Sequence, residues 1–100
     1  MILYNVIVTI DESIHEEWLE WMMTHHIPRV IDTKCFKDSK VYRVLSPEPD
    51  DGVSYTIQYF CENLEDYERY QIEFAALLQS EHKEKYGGKF TAYRSVLEKI

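Results

Sequence analysis

The sequence is poor in the residues and motifs that mark cofactor and metal chemistry. Its two cysteines, Cys35 and Cys61, form neither a CxxC pair nor a zinc-type cluster. It also has no glycine-rich phosphate loop, dinucleotide-binding fingerprint or GxSxG motif. Flavin, nicotinamide and nucleoside triphosphate chemistry therefore lack support, and we expect no cofactor. Two isolated cysteines are typical of free thiols in a reducing compartment, which predicts a cytoplasmic protein.

Positive charge is also scarce. The 100 residues include 11 Lys and Arg against 18 Asp and Glu, which gives a net charge of -7. Nucleic-acid binding needs a basic face, so no nucleic-acid partner is expected, and an acidic chain also disfavours an anionic membrane surface. The apolar start "MILYNVIVTID" lacks a basic leader and is too short to cross a bilayer. We therefore expect it to be a structural element and not a targeting signal.

Hydrophobic periodicity divides the chain into four strands and two long helices. Alternating apolar residues predict strands, and apolar residues three or four positions apart predict helices. Ser13 and Glu16 have the spacing of a capping box, and Pro28 should stop or bend the first helix at Ile27. Asn63 has the position of an N-cap for the second helix. The predicted strands cover residues 2–10, 40–46, 53–61 and 89–100, and the predicted helices cover 11–26 and 63–86, with a short helical turn at 28–33.

The order of these elements, βαββαβ, predicts an α+β fold of the ferredoxin-like type. Right-handed crossovers place both helices on one face of a four-stranded antiparallel sheet, with the first and third strands in the centre. No repeat, linker or low-complexity segment interrupts the chain, so residues 1–100 are expected to form a single domain.

The face of the sheet that the helices leave open is expected to be mixed in character. It is too apolar to be left in water and too polar for an ordinary core. A second copy of the chain packed against it would solve this problem, and so would a bound ligand. The residues expected on this face are Asn5, Ile7, Thr9, Thr56, Gln58 and Phe60.

Three segments, "YNV" in the first strand, "WLEWM…HIP.V" in the first helix and "YTIQYF" in the third strand, carry a family resemblance. With the order of elements, they make the chain similar to the dimeric α/β-barrel superfamily, and most closely to an uncharacterised bacterial family of unknown function within it. The superfamily includes cofactor-independent monooxygenases, small isomerases and cyclases, and haem-handling proteins. The resemblance implies a homodimer with a pocket between the sheet and the helices or their loops, and it supplies no catalytic residues.

His26 is the candidate catalytic residue. It precedes the expected helix break at Ile27 and Pro28, where its imidazole would lie at a pocket rim and move protons. The alternative is a histidine that interacts with the negative end of the helix dipole. His25 is a candidate ligand-binding residue, but it also continues the apolar stripe of the helix, which is typical of a core histidine. No metal site is expected, because adjacent residues point about 100° apart on a helix.

Four strand residues are further candidates for ligand binding. Asn5 and Gln58 would bind a ligand carbonyl or hydroxyl from the open face, or would pair with each other. Arg43 would hold a carboxylate or phenolate, or would be an edge-strand charge. Tyr59 is expected in the core, where its hydroxyl reaches a pocket beneath the helices. Arg94 has the same two interpretations, and the edge-strand charge is preferred for it.

Three functions remain open at this point. The chain is predicted to bind a small apolar or aromatic metabolite as a homodimer, with cofactor-free acid/base chemistry at His26. Alternatively, it is a non-catalytic dimeric binding or assembly module. Haem or metal handling is a third hypothesis, supported only by the superfamily and the histidines. His15 and His82 are expected at the surface or its boundary.

Overall fold

Four strands alternate with helical segments in the predicted order in a computed structural model that describes residues 1–100. The strands β1 and β3 have the predicted bounds. The strand β2 begins and ends earlier than predicted, and β4 is shorter than predicted at both ends. The strands are β1 (Ile2–Ile10), β2 (Asp38–Arg43), β3 (Val53–Cys61) and β4 (Phe90–Glu98). The helices are α1 (His15–Trp21), α2 (Ile27–Asp32), α3 (Leu64–Glu73) and α4 (Ala75–Tyr86).

The sheet has the strand order β2-β3-β1-β4, with every neighbouring pair antiparallel. The strands β1 and β3 are central, and their register places Tyr4 opposite Tyr59 and Asn5 opposite Gln58. The central position of β1 and β3 agrees with the prediction, and the ferredoxin-like fold is confirmed. None of the helices has the length and apolar character needed to cross a membrane.

The first crossover begins differently from the prediction. A 3-10 turn at Glu12–Ile14 precedes α1, and its N-cap is Asp11, whose carboxylate accepts a hydrogen bond from the Ser13 N–H at 2.9 Å. The predicted Ser13–Glu16 capping box is therefore wrong. The extra turn moves the start of the helical path upstream, so Ser13 lies inside it and does not cap it.

A π-helical turn joins α1 to α2 where a helix break was predicted. Met22–His26 form this turn, and the Ile27 N–H bonds to the Met22 carbonyl five residues earlier. Ile27 keeps helical angles (φ -61°, ψ -46°), so the chain does not stop there. Pro28 has no N–H to donate, and a wide turn is one way in which a helix accommodates such a residue. The first crossover is thus one continuous helical path with an enlarged turn before the proline.

The second crossover has the predicted cap and an unpredicted break. The Asn63 side chain accepts a hydrogen bond from the Asp66 N–H at 3.0 Å, which confirms the N-cap. Phe74 then leaves helical geometry (φ -128°) and separates α3 from α4. Leu77 is 61% exposed, whereas its neighbour Leu78 is buried. The break interrupts the regular helical period between α3 and α4.

The core lies between the sheet and the helices. Alternate residues of β1 and β3 point towards it, and they are buried from Ile2 to Ile10 and from Val53 to Cys61 apart from the half-buried Val6. The other sheet face is open, and its outer part exposes large apolar side chains. Among these exposed residues are Tyr42, Tyr93 and Leu97.

Candidate functional site

A small cavity lies between the sheet and the helices. Its volume is about 30 Å³, which is room for about two water molecules. Every strand except β2 contributes to its wall, as do the π-helical turn, α3 and α4. The lining residues are Tyr4, Val6, Val8, Met22, His26, Ile57, Tyr59, Tyr70, Gln79, His82 and Arg94.

His26 reaches this cavity because of the π-helical turn. Trp18, Met22 and His26 are buried at successive intervals of four residues, which is wider than the period of an α-helix. His26 is only 9% exposed, and its buried Nδ1 has no hydrogen-bond partner. Burial lowers the pKa of His26 to about 4, although the charge of Glu81 acts in the opposite direction. The imidazole is therefore neutral at pH 7 and has an unused polar atom.

His82 is the second histidine of the cavity. The Trp18 indole Nε1–H donates a hydrogen bond to His82 Nε2 at 2.8 Å. The neutral ring therefore carries its own proton on Nδ1, because Nε2 is the acceptor. Burial, followed by the proximity of His26 and the charge of Arg94, lowers the pKa of His82 to about 4. The centroids of the two imidazole rings are 5.7 Å apart.

The prediction that His82 lies at the surface or its boundary is wrong, since this residue is only 5% exposed. Its spacing from two other buried residues of α4, Leu78 and Tyr86, is four residues in each direction. This regular interval was the available signal in the sequence.

Aromatic rings fix the positions of both imidazoles. Trp21 stacks on His82 with a centroid distance of 5.9 Å and an interplanar angle of 12°. It also contacts His26 at 5.4 Å, and Phe90 lies 4.0 Å from His82 on the side of β4. Rings packed in this way have few alternative rotamers, so the two histidines are held in a defined relation to the cavity.

Three tyrosines form the opposite part of the wall. Tyr4 stacks against Tyr59 at 5.9 Å and packs at a tilt against Tyr70, also at 5.9 Å. Burial raises the pKa of all three hydroxyls, so each remains protonated at neutral pH. Such hydroxyls are hydrogen-bond donors to a ligand oxygen. Tyr59, predicted to bind a ligand, does line the cavity.

Arg94 adds the only cationic side chain to the wall. It lies on the edge strand, as expected, but faces the helix-covered side, where its register partner is Val6. Its charge lowers the pKa of Tyr4 and so opposes the effect of burial. The sequence analysis preferred an edge-strand role for Arg94 and kept an inward-pointing guanidinium as the alternative, and the structure places Arg94 in the cavity wall.

Asn5 and Gln58 lie on the other face of the sheet. They are opposite each other in the register of β1 and β3, and the Thr56 hydroxyl donates a hydrogen bond to Asn5 Oδ1 at 2.6 Å. The open face therefore meets part of its own hydrogen-bonding needs. Neither amide reaches the cavity that contains His26.

Arg43 and His25 are also separate from the cavity. Arg43, at the end of β2, lines a shallow cleft of about 400 Å³ together with Glu48 and Asp50. The His25 side chain is 50% exposed, and its Nε2 lies 3.9 Å from Glu81 Oε1. The predicted stripe position of His25 is wrong, because the π-helical turn brings the next residue inward. Of the predicted site residues, the structure thus brings together only His26 and Tyr59.

The remaining candidates for metal or redox chemistry do not converge. No three His, Cys, Asp or Glu side chains are placed to hold a metal ion together. Cys35 and Cys61 are buried free thiols. Burial raises the pKa of Cys61, which disfavours a reactive thiolate.

Comparisons with known proteins give a family and a fold. The family described as "Domain of unknown function (DUF4286)" matches residues 1–100. No curated protein matches the chain in sequence.

Among solved structures, the chain is similar to a dimeric ferredoxin-like protein from an uncultured marine organism. The TM-score is 0.72 and the identity 11%, over 100% of this chain and 95% of that chain. For SnoaB, a cofactor-independent oxygenase from Streptomyces nogalater, the values are 0.64 and 9%, over 98% and 91%. For a monooxygenase from Streptomyces coelicolor in complex with nanaomycin D, they are 0.59 and 12%, over 99% and 88%. Such low identities show a shared fold alone, which confirms the resemblance seen in the sequence.

Proposed function

Because the chain belongs to the DUF4286 family, whose description states no activity, we propose a function from its own residues. The protein binds a small apolar or aromatic metabolite in the cavity between sheet and helices. His26 acts there as an acid/base group that needs no cofactor. The free thiols are consistent with a cytoplasmic location, which is part of the same proposal.

One observation carries this proposal: the unpartnered Nδ1 of His26 beside the cavity. Buried polar atoms are nearly always hydrogen-bonded, and an orphaned one costs about 1–3 kcal/mol. A ligand with a hydroxyl, carbonyl or acid group supplies the missing partner. Burial lowers the pKa of this imidazole to about 4, so the ring is neutral at pH 7 and Nδ1 is available to donate or accept a hydrogen bond.

The cavity must enlarge to admit a metabolite, because it now holds about two waters. Met22 offers a route, since it lines the cavity from the π-helical turn and methionine is the most adaptable apolar side chain. π-helical turns are frequent at functional sites. Two of the similar structures agree with this use of the fold: one is described as a cofactor-independent oxygenase and another as a complex with nanaomycin D.

Native mass spectrometry of protein purified from its own host tests ligand binding directly. We expect a dimer with additional mass, and we expect His26→Gln to lose that mass. The matched control is His25→Gln, because it removes an adjacent but half-exposed imidazole and should retain the ligand. If the His26→Gln variant retains the ligand as well as the wild type does, the proposed role of His26 is wrong.

A non-catalytic dimeric module is the second candidate, favoured by the small cavity and the open sheet face. Tyr42 is 51% exposed, Tyr93 68% and Leu97 47%, all on that face or its outer strands. A second copy of the chain would cover this apolar surface, so both candidates include a homodimer. A dimer without additional mass in the same experiment would favour this module.

A further inference from the structure

Arg94 lies on the helix-covered face of the edge strand β4, where it is exposed to solvent and also lines the cavity. Side chains alternate along β4, and Phe90 and Ala92, which precede it on the same face, pack against the core. The next residue on that face is Arg94, opposite Val6 of β1. The edge strand therefore brings a guanidinium group to the wall of the cavity.

Arg94 also has no anionic partner. The chain carries 18 Asp and Glu residues, yet none of its four ion pairs involves Arg94. The groups that its charge affects are Tyr4, Tyr70, His26 and His82, and its charge lowers the pKa of each. All four are neutral at pH 7, so no protein group at the cavity balances this positive charge.

Arg43 provides the contrast. It occupies the other edge strand and also belongs to the helix-facing register, opposite Tyr55. Arg43 also belongs to none of the four ion pairs. Its cleft, however, is lined by Glu48, Asp50 and Asp51, whereas no carboxylate lines the cavity beside Arg94.

We propose that the cavity takes a small organic carboxylate, whose two oxygens bind the guanidinium of Arg94. This inference rests on the proposed function and names the class of its ligand. A carboxylate matches the planar fork of an arginine. A volume of about 30 Å³ holds about two waters, which is close to the space of two carboxylate oxygens.

The other walls of the cavity fit the rest of such a ligand. Seven of the eleven lining residues are hydrophobic, including Val8, Met22 and Ile57, so the body of the acid is apolar. The neutral His26 donates a hydrogen bond from Nδ1 to a carboxylate oxygen when its proton is on that atom. One ligand group thereby balances the charge of Arg94 and partners the orphaned nitrogen of His26.

Two pairs of small probes test this inference: acetate with acetamide, and benzoate with benzamide. Each pair has nearly the same shape and differs in charge. Binding is followed at pH 7 through the NMR signals of the His26 and His82 rings in the full chain. We expect each acid to bind at least about tenfold more tightly than its amide, as for charge-assisted hydrogen bonds.

Variants of the two edge-strand arginines test whether Arg94 causes the preference for the acid over the amide. Arg94→Gln should lose the preference for the acid, whereas Arg94→Lys should keep part of it because the charge remains without the fork. Arg43→Gln is the matched control and should bind as the wild type does. Bound acid should also raise the pKa of both histidines, because a nearby negative charge favours the imidazolium form.

The possible results test the carboxylate inference separately from the proposed ligand-binding function. If amide and acid bind equally, or if Arg94→Gln keeps the preference, the carboxylate inference is wrong and the proposed binding function stands. If no probe moves either histidine signal, both are contradicted.

Discussion

Polar side chains on the two sides of the sheet differ in whether they have hydrogen-bond partners. On the open face, the Thr56 hydroxyl donates to Asn5 at 2.6 Å, and the hydroxyls of Thr9 and Ser54 are 2.7 Å apart. On the covered face, the buried Nδ1 of His26 has no partner. Four polar side chains of the accessible face bond to one another, whereas the buried Nδ1 of His26, in the π-helical turn above the covered face, has no partner.

This difference indicates which face is prepared for a ligand. An unpartnered polar atom is tolerated at low cost where water reaches it, but not in a buried site. A second copy of the chain would give the open face its apolar cover. A ligand in the cavity would give the buried nitrogen of His26 its polar partner. The difference therefore supports the proposal of assembly on one side of the sheet and binding on the other.

The largest effect is expected on the covered face, from Trp18→Phe. The fully buried indole would be replaced by a smaller ring, and His82 Nε2 would lose its donor. A cavity and an unsatisfied buried nitrogen together should lower the free energy of unfolding by about 3 kcal/mol. Urea unfolding monitored by circular dichroism measures this change.

Trp21→Phe is the control for that experiment. Trp21 is half-buried and stacks on His82 without a hydrogen bond from its indole nitrogen. Its replacement should lower the free energy of unfolding by only about 1 kcal/mol. Equal losses in the two variants would show that the hydrogen bond to His82 contributes little.

The next effect is expected on the open face, from Ile7→Asp. Ile7 lies on a central strand of this face, and a carboxylate there would be desolvated between two packed copies. The dissociation constant of the dimer should rise about thirtyfold or more, roughly 2 kcal/mol. Ile72→Asp is the control, because Ile72 is 83% exposed on α3, away from the sheet. Sedimentation equilibrium measures the dissociation constants. Equal constants for Ile7→Asp and the wild type would contradict dimerisation through the open face.

The sequence was sufficient for the fold because strands and caps leave local signals. Alternation placed Tyr4 and Tyr59 beneath the helices, and Asn63 marked the start of α3. Each of these predictions depends on neighbours in the chain or on the period of a strand. The folded structure keeps these local preferences because its tertiary contacts agree with them.

The cavity was less predictable because it depends on departures from regular structure. A constant period of 3.6 residues placed His25 on the inner stripe, and only the π-helical turn brings His26 there instead. The role of Arg94 requires the register of β4, which sets it on the same face as Ala92. Alternation counted forward from Phe90 would have placed Arg94 on that face, but it would not have shown that no carboxylate lines the cavity.

The smallest expected effect is the change in the free energy of unfolding per pH unit. It again arises on the covered face, at His26. The pKa of His26 is about 4 in the folded chain against an ordinary value of 6.5, because burial disfavours the charged form. Above pH 6.5 both states are neutral and stability is complete, while between 6.5 and about 4 only the unfolded state gains the proton. The free energy of unfolding should therefore fall as pH falls through this window, by about 1 kcal/mol per pH unit for this histidine.

His26→Gln should remove that part of the slope, and His25→Gln should retain it. Urea unfolding across the window measures the slopes, and identical slopes in all three proteins would mean that His26 is already charged or solvated in the folded state.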